Sequence, residues 1–186
     1  MARFAALLEG ALRNAIDVAC VRLPAPPAAA RDPLTAFIHR TQRANVAVLI
    51  EERLELVERF GADGLHLDED LEAVTALRRA LGPERSLGVA CGLSRHAAME
   101  AAEAGADYVS FSGEPDRLLE TVGWWAEIMT APVVADGIAT VEEAAALAVA
   151  GADFIVPLLP DAPAESAAAL LASFAHAIRF AAETSA

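Results

Sequence analysis

Short apolar runs alternate along this chain with longer stretches whose apolar positions recur every three or four residues. The runs read as strands at 18–23, 46–50, 64–67, 86–90, 108–112, 132–135 and 154–158. The longer stretches read as amphipathic helices at 4–13, 34–44, 51–60, 70–81, 94–104, 117–129, 140–150 and 164–182. Helix ends are marked by residues that satisfy free backbone groups. Ser94 is an N-cap, Thr140 with Glu143 a capping box, and Gly82-Pro83 a stop. A Pro/Ala-rich connection fills 24–33, and Gly113-Glu114-Pro115-Asp116 reads as a turn.

Gly-Ala-Asp occurs three times, beginning at Gly61, Gly105 and Gly151, with spacings of 105 − 61 = 44 and 151 − 105 = 46 residues. Each copy follows a helical pattern and leads into an apolar run. Glycine supplies the left-handed residue that ends a helix, and Ala-Asp opens the buried strand. Repetition makes this the rhythm of a βα chain returning to one parallel sheet. The expected fold is α/β, a single TIM (β/α)8-type barrel domain over 1–186, its runs buried on both faces. Seven strands are one short, and the absent one is the first, which would precede the opening helix. The barrel is then incomplete, covered there by a partner chain, or continued upstream in the natural protein. A doubly wound open sheet is the alternative, but no glycine-rich loop with dinucleotide spacing follows any strand.

Composition narrows the function. Apolar residues make up 55% and aromatics 5%, so Ala, Leu and Val build the core. A net charge of −13 argues against nucleic acid or an anionic membrane surface as partner. It also means that an anionic substrate needs local cations or a metal ion. No apolar run approaches the ~20 residues of a membrane span, and the start of the chain lacks a signal-peptide pattern. Cys20 and Cys91 are too few for a disulfide framework, so a reducing cytoplasm is expected. Both cysteines are placed near the barrel mouth, with small-thiol packing as their default role. His66 falls inside a strand, where a satisfied core histidine is expected. Trp124-Trp125 should give one buried ring and one outer ring that a second chain, as in a homodimer, would cover.

Four segments in register resemble the thiamine phosphate synthase family, which includes the thiazole tautomerases. They are Leu49-Ile50-Glu51-Glu52-Arg53, Gly61–Leu67, Gly105–Val109 and Pro132–Ile138. Gly113–Asp116 is similar to a divergent bacterial branch. The resemblance implies a transferase that joins a thiazole phosphate to a pyrimidine pyrophosphate, releasing pyrophosphate with Mg2+. It implies Arg22 as the contact for pyrophosphate, retained where the family's lysine has become Pro24. Glu52 and Asp70 stand in the places of the magnesium carboxylates. Cys91 replaces part of a Ser-x-His pattern, and Gly113 begins a loop that lacks the family's lysine and the tautomerases' histidine. Asp136-Gly137 replaces the family's Gly-Gly at the thiazole-phosphate loop, with Pro157 and Leu159 altered nearby.

Each position also has a structural reading. Glu51, Glu52, Asp68, Glu69 and Asp70 suit a metal site or solvated helix N-termini, where the dipole favours carboxylates. Arg22 suits an anion or an ion pair with Glu52. Asp136 suits a catalytic group or a turn cap. Two functions follow: a synthase-like transferase, or a repurposed barrel that binds a small thiazole- or pyrimidine-like ligand or a protein partner. A different enzyme on the same scaffold is a third course, since barrels host many chemistries.

Overall fold

The computed structural model describes residues 2–25, 31–68 and 70–184. Its strands are β1 (Cys20–Leu23), β2 (Ala47–Glu51), β3 (Gly64–Asp68), β4 (Ser86–Ala90), β5 (Tyr108–Phe111), β6 (Val133–Ile138) and β7 (Phe154–Pro157). All are parallel, and each pairs with the next in chain order. The helices are α1 (Ala2–Arg13), α2 (Arg31–Arg43), α3 (Leu54–Phe60), α4 (Leu71–Leu81), α5 (Arg95–Glu103), α6 (Pro115–Ile128), α7 (Val141–Val149) and α8 (Ala164–Thr184). This is the expected barrel architecture without its first strand.

The sheet curls: Arg22 on β1 reaches Asp136 on β6, although four strands separate them in the ladder. Outside it, α1 packs on α8 and closes the helical layer. A Cβ on Gly10 would stand 2.6 Å from that of Ala168, so this crossing depends on two small residues. Arg3 fastens the start of α1 to Asp161 and to the Pro160 carbonyl, both at 2.6 Å. Among the described residues, no ladder joins β7 to β1. Among the described residues, α1 and α8 thus cover the side where the inner sheet has a seam.

The Gly-Ala-Asp repeat works as a clamp at the strand starts. Asp63 accepts from Val48 N at 2.7 Å, Asp107 from Leu87 N at 2.7 Å, and Asp153 from Val133 N at 2.8 Å. The three aspartate N–H groups donate back to the carbonyls of the same residues. Each carboxylate thereby fills the pairing place at the foot of the preceding strand.

Strand alternation separates two faces. Leu23, Val48, Ile50, Leu65, Leu87, Val89, Val109 and Phe111 are fully buried in the outer layer of the core. Register places Arg22, Leu49, Glu51, His66, Gly88, Tyr108 and Asp136 on the opposite, interior face. The expected burial on both faces holds at β3, where Gly64, Leu65, His66 and Leu67 are all buried. Beside Leu49 the inner face carries small and polar side chains, as Gly64-Leu65-His66-Leu67-Asp68 shows by strict alternation.

Several boundaries move for local reasons. α6 starts at Pro115 rather than 117, because proline suits the first helical position and the Glu114 carboxylate accepts from Asp116 N and Arg117 N. α3 starts at Leu54 rather than 51, since β2 runs through Glu51 and Glu52 turns left-handed at φ 63°. β6 continues past 135 through a bulge at Asp136–Ile138. The expected connection at 24–33 falls partly outside the described residues.

Candidate active site at the mouth of the barrel

A polar chain crosses the barrel interior. Arg22 Nη1 lies 2.9 Å from His66 Nε2, and His66 Nδ1 lies 2.8 Å from the Tyr108 hydroxyl. Guanidinium is donor-only, so Nε2 accepts, and the imidazole proton sits on Nδ1, which donates to Tyr108. The two rings stack with centroids 5.7 Å apart. Burial first, then the Arg22 charge, pushes the His66 pKa down to about 3. His66 is therefore neutral at physiological pH. Burial likewise raises the Tyr108 hydroxyl well above its ordinary range. This confirms His66 as a satisfied interior histidine and shows which groups satisfy it.

The second arm of Arg22 bonds Asp136, with the side chains 16% and 22% exposed. The carboxylate partner of Arg22 is Asp136 rather than Glu52, and Asp136 faces Arg22 rather than capping a turn. The bulge in β6 carries Asp136 at this place, followed by Gly137 at φ 77° with open space where a Cβ would stand. Glu51 lies on the same inner face. Desolvation raises its carboxyl above the usual range; Arg22 lowers it, while Asp136, Glu52 and Asp68 raise it.

The other candidates are more dispersed. Glu52 donates its N–H to the His66 carbonyl at 3.0 Å and accepts from Asp68 N at 2.6 Å. Asp70 caps α4, accepting from Ala73 N at 3.2 Å. Glu69 lies outside the described residues. Among the described residues, no three His, Cys, Asp or Glu side chains are grouped to hold a metal ion. As placed, Glu52 and Asp70 each accept from a backbone N–H. Cys91 is 3% exposed within the apolar core, its thiol donating to Val89 O at 3.6 Å. Cys20 stands exposed at the start of β1, the strand end away from the one expected. Gly113 lies against Leu93, whose side chain a Cβ would meet at 2.6 Å. Trp125 is fully buried, and Arg95 covers the Trp124 ring at 4.7 Å. No helix among the described residues is long and apolar enough to cross a membrane.

Tyr108 was not singled out from sequence as a site residue, and Glu51 only as one member of the acidic cluster. The signal was present in the alternation, since each shares its strand parity with Ser110 or Leu49 rather than with the helix-facing core.

Comparison with known proteins agrees with this fold. A thiamine-phosphate synthase of Rhodospirillum centenum is 40% identical over 164 residues, covering 82% of this chain and 79% of that protein. Those of Erythrobacter litoralis and Hyphomonas neptunium are 39% and 43% identical, covering 60% and 61% of this chain. The chain spans 57% and 56% of those two relatives' lengths. Thiamine phosphate pyrophosphorylase from Pyrococcus furiosus superposes with a TM-score of 0.77 at 18% identity, over 96% of this chain and 89% of that one. A 3-hexulose-6-phosphate synthase superposes at 0.67 with 18% identity, over 93% of each chain, so the likeness at this level is one of fold. The family model for thiamine monophosphate synthase matches residues 1–157, every strand included, and the chain belongs to that family.

Proposed function

We propose that the chain is a thiamine-phosphate synthase working at the carboxyl ends of its strands. Its substrates are a thiazole phosphate and a pyrimidine pyrophosphate. The thiazole nitrogen lone pair forms the new C–N bond at the pyrimidine methylene carbon. The C–O bond there breaks, and its electron pair leaves with pyrophosphate. The observation that carries this reading is Arg22: a guanidinium turned into the barrel interior and hydrogen-bonded to a neutral histidine. Charge that develops on a leaving group is best met by a cation already fixed in place. Arg22 meets the departing pyrophosphate, and His66 with Tyr108 keeps it oriented. Gly137 leaves room for close backbone approach by the thiazole phosphate, and Gly113 borders the loop opposite. Cys91 supports the wall, its N–H bonded to Ser110 O at 2.9 Å. The family resemblance implies Mg2+, which the assay supplies.

The test is direct measurement of thiamine phosphate from both substrates in magnesium buffer, repeated with chelator. Product is expected, with Arg22→Gln reduced about 100-fold or more in kcat, the usual cost of one preorganised charge contact. No product from folded protein rejects the synthase. Asp136, bonded to Arg22, favours a second reading, a barrel that binds an unphosphorylated thiazole- or pyrimidine-like molecule. Thermal stabilisation by the unphosphorylated compounds alone selects that reading.

A further inference from the structure

We infer that Asp136 is a specificity-determining residue, an internal counter-anion that occupies the Arg22 guanidinium and holds down its affinity for pyrophosphate. The inference rests on the proposed role of Arg22 as the anion contact. Arg22 presents two arms to the interior, one spent on His66 and the other on Asp136. An arriving anion therefore has to displace the carboxylate. The displaced carboxylate stays close, because the β6 bulge and the left-handed Gly137 fix the backbone that carries it. Glu51 is a second negative neighbour of the same guanidinium. A group with several negative charges that reaches Arg22 meets the Asp136 carboxylate at short range, and partial burial of the Arg22–Asp136 pair weakens solvent screening. Like-charge juxtaposition of this kind discriminates between ligands more than it adds affinity.

Isothermal titration of inorganic pyrophosphate into the intact chain tests this without any turnover. Asp136→Asn is expected to bind pyrophosphate at least ten-fold more tightly than wild type, and Asp136→Glu to stay within about two-fold. The double variant Arg22→Gln/Asp136→Asn is expected to lose the gain. Unchanged or weaker binding in Asp136→Asn overturns the inference. So does equal tightening in the double variant, which would assign the gain to net charge rather than to a released Arg22. If Asp136→Asn fails to fold, Asp136→Gly is titrated instead and read in the same way. Because binding is measured apart from product, a wild type that makes no product while Asp136→Asn tightens rejects the synthase and keeps the role of Asp136.

Discussion

Asp153 and Val133 hold each other twice: the carboxylate accepts from Val133 N at 2.8 Å, and the Asp153 N–H donates to Val133 O at 3.0 Å. The same two bonds recur for Asp63 with Val48 and for Asp107 with Leu87. Removing one partner leaves a buried N–H without an acceptor, at a cost of about 1–3 kcal/mol. Asp153→Ala is expected to lose about that much in urea unfolding, and Asp153→Asn less, since its amide oxygen still accepts. Equal stability of Asp153→Ala and wild type would show that the clamp carries no load.

Gly88 makes the bed on which Tyr108 lies. A Cβ there would come within 1.9 Å of the ring. Gly88→Ala must push Tyr108 off its stack with His66 or move β4, and overpacking of this kind costs about 1–3 kcal/mol. Lower thermal stability and an altered Tyr108 fluorescence or ultraviolet signal are expected; neither changing would mean that the ring lies elsewhere.

His66 gives the fold a pH dependence of known sign. Its pKa falls from 6.5 unfolded to about 3 folded, through burial and the facing Arg22. Between those values the unfolded chain binds more protons, so stability rises with pH from about 3 to 6.5 and is fully present above 6.5. Tyr108 on the other ring nitrogen is uncharged across this window. His66→Gln, which keeps an acceptor for Arg22, should flatten that part of the stability curve. A curve of unchanged slope would assign the acid sensitivity to the carboxylates.

Glu52 combines a left-handed backbone, φ 63°, with a carboxylate bonded to Asp68 N. Glu52→Ala keeps the strained φ and loses the bond, for a destabilisation of about 1 kcal/mol or more. Glu52→Gly loses the same bond but relieves the backbone, and should recover part of it. Denaturant titration of both variants checks the order; Ala more stable than Gly contradicts a left-handed residue here.

The strand and helix plan was readable because each signal is local. Gly61, Gly105 and Gly151 end helices, Ser94 and Thr140 start them, and the apolar runs mark strands. Errors fell where two local signals overlap, as at Pro115, a turn residue that also suits a helix start. The interior site was legible only in part. Arg22 and Asp136 were named one by one, but the carboxylate expected to pair with Arg22 was Glu52, and the one found is Asp136.

Sequence by itself determined the family, the βα rhythm, the missing first strand and the departures at Pro24 and Asp136, since all are properties of residues in order. Tertiary structure alone decided that Arg22, His66, Tyr108 and Asp136 form one chain of contacts. Those residues come from four strands, and the contact from Arg22 to Asp136 spans 114 positions. Whether such groups meet depends on curl, register and a bulge in β6, which set side-chain direction only once the whole sheet is assembled.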